Sequence, residues 1–141
     1  RLAGSISRPR GRWRGVLSQA TWRSFGIDTE ALAEGGPLNE FLTQTLAQTE
    51  RALLTQGPYP ANINATLAFS AKEALFKALY PQVGHHFGFD AANLTEAPHQ
   101  NSLTLSLTTN LTDNLPKGRR FDIHLSLTPT HVSTWLSVPN L

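Results

Sequence analysis

Three stretches near the end of the chain alternate apolar and polar residues with period two: "SLTLSLTT" with Leu103, Leu105 and Leu107, "FDIHLSL" with Phe121, Ile123, Leu125 and Leu127, and "HVSTWLSV" with Val132, Leu136 and Val138. Ser and Thr recur on the other face, so these segments predict an antiparallel sheet with one buried and one wetter side. Asp113-Asn114 and Lys117-Gly118 supply the turn chemistry of the first connection and Pro129 that of the second. Upstream the period changes. "AKEALFKALYP" is built from good helix formers, with Pro81 predicted to end it. Pro37 suits the first turn of another helix, whose Leu38, Phe41, Leu42 and Leu46 form one apolar stripe, and "TERALL" (Thr49 to Leu54) continues or restarts it before "QGPYP". The chain opens on a small-residue turn and a Pro/Gly/Arg segment, then "GVLSQATW" with strand character, then "SFGIDTEAL", where Phe25 and Ile27 alternate with Gly26 and Asp28 as a strand end does. The order of strand, helices and strands predicts an α+β domain with helices packed on an antiparallel sheet.

A length of 141 residues with 40% hydrophobic residues is enough for one real core. No run of about 18 apolar residues and no basic-then-apolar leader is present, so no membrane span is expected and a cytoplasmic setting is favoured. With no Cys there are no disulfides, thiolate nucleophiles or cysteine-bound zinc; a metal would be held by oxygen or imidazole. The chain begins with Arg and contains no Met, which fits a piece of a longer product. Arg1, Arg8, Arg10, Arg12, Arg14 and Arg23 all precede the first acid, Asp28, whereas the remainder has 6 basic and 10 acidic residues. This uneven charge fits either an anionic ligand near the start or a solvated basic arm. The "RPRGRWRG" segment could in principle engage nucleic-acid phosphates, but it is short and the rest of the chain is acidic, so no nucleic-acid partner is expected.

Three acids stand out: Asp28 and Glu30 in "GIDTE", and Glu73 in "SAKEALFK". Residues two apart on an extended segment point to the same side, so Asp28 and Glu30 can offer both carboxylates to one point. That arrangement suits Mg²⁺, which takes oxygen ligands from one or two carboxylates with water or phosphate completing the set. A purely structural reading stands beside this one. Ser70-Ala71-Lys72-Glu73 matches a capping box, in which Glu73 turns back to the Ser70 backbone, and Glu73 with Lys77 forms a favourable i,i+4 ion pair. His85-His86 in a Gly-flanked loop reads as solvent-exposed, and Trp13, Trp22 and Trp135 as core or lobe-interface residues.

The combination "GIDTE", then "FSAKEALFKALYP" about forty residues on, then "FGFDAA", resembles the 4′-phosphopantetheinyl transferase superfamily. The likeness is to its two-lobed bacterial type, which includes the activating enzyme of enterobactin synthetase. The residues that match the family pattern are Gly26, Ile27, Asp28, Thr29 and Glu30, then Phe69, Lys72, Glu73, Ala74, Lys77 and Ala78; "GSIS" at Gly4 to Ser7 also looks like the family's "GSISH". The resemblance implies the C-terminal lobe of a pseudo-twofold enzyme, with residues 1–24 the end of a preceding N-terminal lobe and its connecting strand, and 25–141 the catalytic lobe. It implies a Mg²⁺-dependent transferase moving 4′-phosphopantetheine from coenzyme A to a serine of an acyl, aryl or peptidyl carrier protein in siderophore, peptide or polyketide synthesis. In that case Asp28, Glu30 and Glu73 hold the metal, Glu73 takes the serine proton directly or through a metal-bound water, and Lys77 reaches a pyrophosphate oxygen with Lys72 as a secondary phosphate contact. Ser7 and Arg8 lie at the coenzyme A site, Arg8 standing where the family has its histidine. The missing N-terminal lobe leaves a rival reading: a truncated or degenerate lobe that binds carrier protein or Mg²⁺ without catalysis.

Overall fold

A computed structural model of the chain describes residues 3–7, 14–18, 23–32 and 45–139, with side chains described for 24–32 and 45–139. The predicted Pro37 helix with Leu38, Phe41 and Leu42, the arginines at 1, 8, 10 and 12, and Trp13 and Trp22 lie outside these residues. Two strands, β1 (Ala3–Ser7) and β2 (Arg14–Ser18), form an antiparallel hairpin that lies against β3 (Arg23–Ala31). The expected small-residue turn at the start is thus a strand: Ala3 pairs with Ser18 and Ser7 with Arg14, and backbone pairing holds what the small side chains alone do not signal.

β3 is the edge of a five-stranded antiparallel sheet of order β3-β7-β6-β5-β4, made with β4 (Ala92–Leu94), β5 (Ser102–Leu107), β6 (Arg120–Leu127) and β7 (His131–Pro139). The three alternating segments become β5, β6 and β7, as their pattern predicts. Their Leu103, Leu105, Leu107, Phe121, Ile123, Leu125, Val132, Leu136 and Val138 are buried on one face. Fully burying a side chain such as Leu105 or Ile123 contributes about 2 kcal/mol. The three-residue β4 has too little length to show alternation, and its register against β5 is set by Ala92 opposite Leu107 and Leu94 opposite Leu105.

Against the buried face lies one long helix, α2 (Ala61–Val83), with the short α1 (Gln48–Leu54) beside it. "TERALL" therefore restarts as its own helix. The helix predicted around Lys72 extends nine residues further upstream than Ser70, to Ala61 behind Pro60. Pro81 does not end it: α2 continues to Val83 and stops at Gly84, which takes the left-handed conformation (φ 77°) and donates its N–H to the Tyr80 carbonyl. A proline in the last turn removes one amide donor at a point where the helix has nearly run out.

The side of α2 that meets the sheet is made of Leu67, Ala71, Ala74, Leu75 and Ala78, all buried. Small residues here let the helix come close to β3. At Gly26 the approach is so tight that a Cβ would sit 1.8 Å from the Ala74 carbonyl oxygen. Only glycine fits there, and the contact draws the start of "GIDTE" onto the turn that carries Glu73 and Lys77. No helix among the described residues is long and apolar enough to cross a membrane.

Candidate active site

Along β3 the even-numbered residues face α2. Gly26 meets Ala74, the Asp28 carbonyl accepts from Ser70 Oγ (3.4 Å), and Asp28 pairs in register with the buried Thr134 of β7. Asp28 and Glu30 therefore share the helix side, as their spacing predicts. Asp28 is 4% exposed. Ser70 is not a cap. It lies in the middle of α2, fully buried, with its hydroxyl 2.8 Å from that of Thr134. The capping-box reading of Glu73 falls with it, because the backbone N–H of residue 70 belongs to a helix interior.

Lys77 also differs from its expected pairing. Its ammonium donates to Asp28 Oδ1 (3.1 Å) and to the Ile27 carbonyl (2.9 Å), so its ion pair is with β3 and not with Glu73 one turn back. The lysine remains a quarter exposed, with its charge held at the mouth of the acidic cluster.

The electrostatics put the three acids in one neighbourhood. The Glu30 carboxyl is pushed up to about 8, first by burial, then by the Asp28 charge and a hydrogen bond shared with Asp28, and then by Glu73, with Lys77 opposing. Glu73 is also raised, by burial first and then by Asp28, while Lys77 and His86 pull it back. Asp28 Oδ2 is buried and meets no hydrogen-bond partner among the described residues. Carboxylates crowded in this way repel unless a proton or a cation lies among them. An all-oxygen donor set with an orphaned buried oxygen fits a hard divalent ion. Among the described residues the acids are not preassembled as a group of three ligands, and Lys77 occupies one oxygen of Asp28.

Beside Glu73 a cavity of about 230 Å³ opens, walled by Lys72, Glu73, Leu75, Phe76, Phe87 and Phe89, among others. Phe76 packs on Phe87 (4.9 Å between ring centroids) and on His86 (5.4 Å), so one wall is aromatic. Periodicity does not signal this wall, because Phe87 and Phe89 fall in a Gly-rich loop; they enter the sequence reading only through the "FGFDAA" resemblance. His85 and His86 are both exposed. Trp135 is not a core residue: it is 36% exposed on the far face of the sheet, stacked on His124 at 5.7 Å.

Lys72, expected as a secondary phosphate contact, is 5% exposed, and its ammonium bonds Glu50 Oε1 (2.9 Å) and the Phe89 carbonyl (3.0 Å). Burial lowers its pKa, while the bond to and charge of Glu50, and the charge of Asp90, oppose that. Ser7 ends β1, with only its backbone described, and Arg8 lies outside the described residues.

The site can be set beside known proteins. A family model described as the 4′-phosphopantetheinyl transferase superfamily matches residues 24–128. The chain is also 33% identical over 94 residues to a protein named enterobactin synthase component D, from Salmonella typhi; the match covers 67% of this chain and 38% of that protein. The chain thus spans well under half the length of the curated relative it matches.

Proposed function

The chain belongs to the 4′-phosphopantetheinyl transferase superfamily, and from that premise we propose that it forms the catalytic lobe of a cytoplasmic transferase moving 4′-phosphopantetheine from coenzyme A to a serine of a carrier protein. The observation that carries this reading is the cluster that β3 and α2 form, Asp28 and Glu30 with Glu73 and Lys77, with Glu73 also lining the adjoining cavity.

In the proposed reaction the serine hydroxyl oxygen forms a bond to the β-phosphorus of coenzyme A. The bond from that phosphorus to the bridging oxygen breaks, and adenosine 3′,5′-bisphosphate leaves. Glu73 receives the serine proton; a carboxyl raised above its usual range is a better base near neutral pH than an exposed one. Lys77, already at the mouth of the cluster, turns its ammonium to a pyrophosphate oxygen and offsets the charge that grows there. Asp28, Glu30 and Glu73 would hold Mg²⁺, which when bound supplies charge neutralisation on the pyrophosphate. Ser7 and Arg8 are assigned to the 3′-phosphate end of coenzyme A, where an arginine can bind phosphate bidentately.

The test is incubation of the full-length gene product with an apo-carrier protein, coenzyme A and Mg²⁺, followed by mass spectrometry. The carrier gains one phosphopantetheine group, and Glu73→Gln abolishes the gain while leaving the circular dichroism spectrum unchanged. Failure of the wild-type protein to modify a panel of acyl, aryl and peptidyl carriers would overturn the reading. Carrier binding without modification would favour the degenerate-lobe alternative.

A further inference from the structure

The transferase reading leaves one charged pair without a task. Glu50 is 0% exposed and sits on α1, away from the acidic cluster. Its Oε1 accepts from the Ala47 backbone N–H (3.0 Å) and from Lys72 (2.9 Å), and its Oε2 accepts from the Leu94 N–H (2.8 Å). Asn93, with its amide oriented to suit its neighbours, donates to Glu50 Oε1 at 3.0 Å and to the Ala92 carbonyl at 2.9 Å. One carboxylate therefore joins α1, α2 and β4. Through Lys72 and the Phe89 carbonyl it also reaches the loop that walls the cavity.

A buried ion pair is a poor way to gain stability, because desolvation of both charges offsets much of their attraction. It is, however, a good way to fix a unique arrangement, since each partner is costly to leave alone. The geometry shows what is fixed here. Successive helical residues project about 100° apart, so Lys72 and Glu73 leave α2 in different directions from the same turn. The β3–β7 edge of the sheet holds that turn on one side, through Gly26 against Ala74 and through Ser70 to Thr134. The Lys72–Glu50 pair ties it to α1 and to β4, the opposite edge of the sheet. With both edges pinned, rotation of α2 about its axis is opposed, which fixes the backbone position from which Glu73 reaches toward Asp28 and Glu30.

We infer that Glu50 and Lys72 are positioning residues for the proposed transfer: their buried pair sets the placement of Glu73 and the wall of its cavity, and the Lys72 ammonium does not contact coenzyme A phosphate. The inference rests on the transferase reading, and it gives Lys72 a different role from the phosphate contact that the family resemblance implies.

The experiment uses the full-length protein with Glu50→Gln, Lys72→Met and the doubly neutral Glu50→Gln/Lys72→Met. Steady-state transfer is normalised to folded protein, and coenzyme A binding is followed by calorimetry. For a positioning pair, each single variant lowers kcat by about 10- to 100-fold, the cost of displacing a reacting group by about an ångström. The coenzyme A KM and calorimetric affinity stay within about twofold of wild type, and the double variant recovers most of the lost kcat because neither charge is left unpaired. A merely structural pair would change the folded fraction and leave kcat per folded molecule at the wild-type value, which would overturn the inference. So would a Lys72→Met protein that loses about tenfold or more in coenzyme A affinity beside a Glu50→Gln protein that loses nothing, the pattern of a phosphate contact. Should either single variant fail to fold, the double variant decides: unchanged coenzyme A affinity supports positioning, and a loss of about tenfold refutes it. A wild-type protein that modifies no carrier is a separate outcome, which removes the transferase reading itself.

Discussion

Replacing Glu30 by Gln should stabilise the metal-free protein, and the gain should depend on pH in a defined way. The folded Glu30 carboxyl keeps its proton up to about pH 8, whereas an unfolded one releases it near 4.5. Below about 4.5 both states are protonated and Glu30 costs nothing. As the pH rises toward 8 the unfolded state gains by ionising while the folded state cannot, so stability is lost across that window and the loss levels off above it. Taken at face value, the span from 4.5 to about 8 corresponds to roughly 5 kcal/mol. Glu30 is only partly buried, however, and solvent screening reduces the expected penalty to about 1–2 kcal/mol. Gln keeps the shape, carries no charge and brings an N–H donor beside the orphaned Asp28 Oδ2. Thermal unfolding in EDTA should show Glu30→Gln melting roughly 3–8 °C above wild type at pH 8.5 and close to it at pH 4.5. Adding Mg²⁺ at pH 8.5 should raise the wild-type midpoint and raise that of Glu30→Gln less, since the ion relieves the same repulsion. Equal midpoints at pH 8.5, or a gain of the same size at both pH values, would refute the account of Glu30 as a carboxyl held in a crowded acidic cleft.

Gly26→Ala should cost about 2–3 kcal/mol in urea unfolding, because its Cβ would lie 1.8 Å from the Ala74 carbonyl oxygen and must push β3 off α2. Gly118→Ala, at φ 89° with open space around the new methyl, should cost only about 1 kcal/mol from its backbone. Ser70→Ala should lose about 1–2 kcal/mol by leaving the buried Thr134 hydroxyl without its partner. Its far-ultraviolet circular dichroism should be unchanged, whereas loss of a true cap would fray the helix. Lys77→Met should lower transfer by at least about 100-fold at saturating substrate, measured by carrier mass shift, as loss of a preorganised charge does.

The parts of the fold that were legible are those in which one face of one element meets the core. Leu103 to Leu107, Phe121 to Leu127 and Val132 to Val138 each carry their own burial pattern, and each became a strand with those residues inside. Asp28 and Glu30 were likewise legible, since a two-residue spacing on a strand fixes a common side whatever the strand packs on. The illegible features are set by partners distant in sequence. Nothing within β4 signals a strand; Leu105 and Leu107 of β5 impose it. Nothing near Trp135 says that its face of the sheet stays partly open. Pro81 has the local chemistry of a terminator, yet three residues of helix from Pro81 to Val83 fit before Gly84 turns the chain.

The sharpest case is the turn "SAKE", where local grammar and long-range packing give opposite answers. Ser70 and Glu73 have the identities and spacing of a capping box, and a short-range reading has no means of rejecting it. What rejects it is the run from Ala61 to Phe69, whose helical state extends α2 past Ser70 and satisfies the backbone there. Once Ser70 is interior, its hydroxyl needs a buried partner and finds Thr134 on the strand that also pairs with Asp28. The serine therefore bonds the sheet, Gly26 closes the remaining gap at Ala74, and Lys77 reaches across to Asp28. Each contact moves Glu73 further from a structural role, because the Ser70 backbone lies inside the helix and Lys77 makes its ion pair with Asp28. The carboxyl is left half-buried beside two other acids and a cavity, a costly arrangement for a fold and one that a catalytic site with a bound cation would account for.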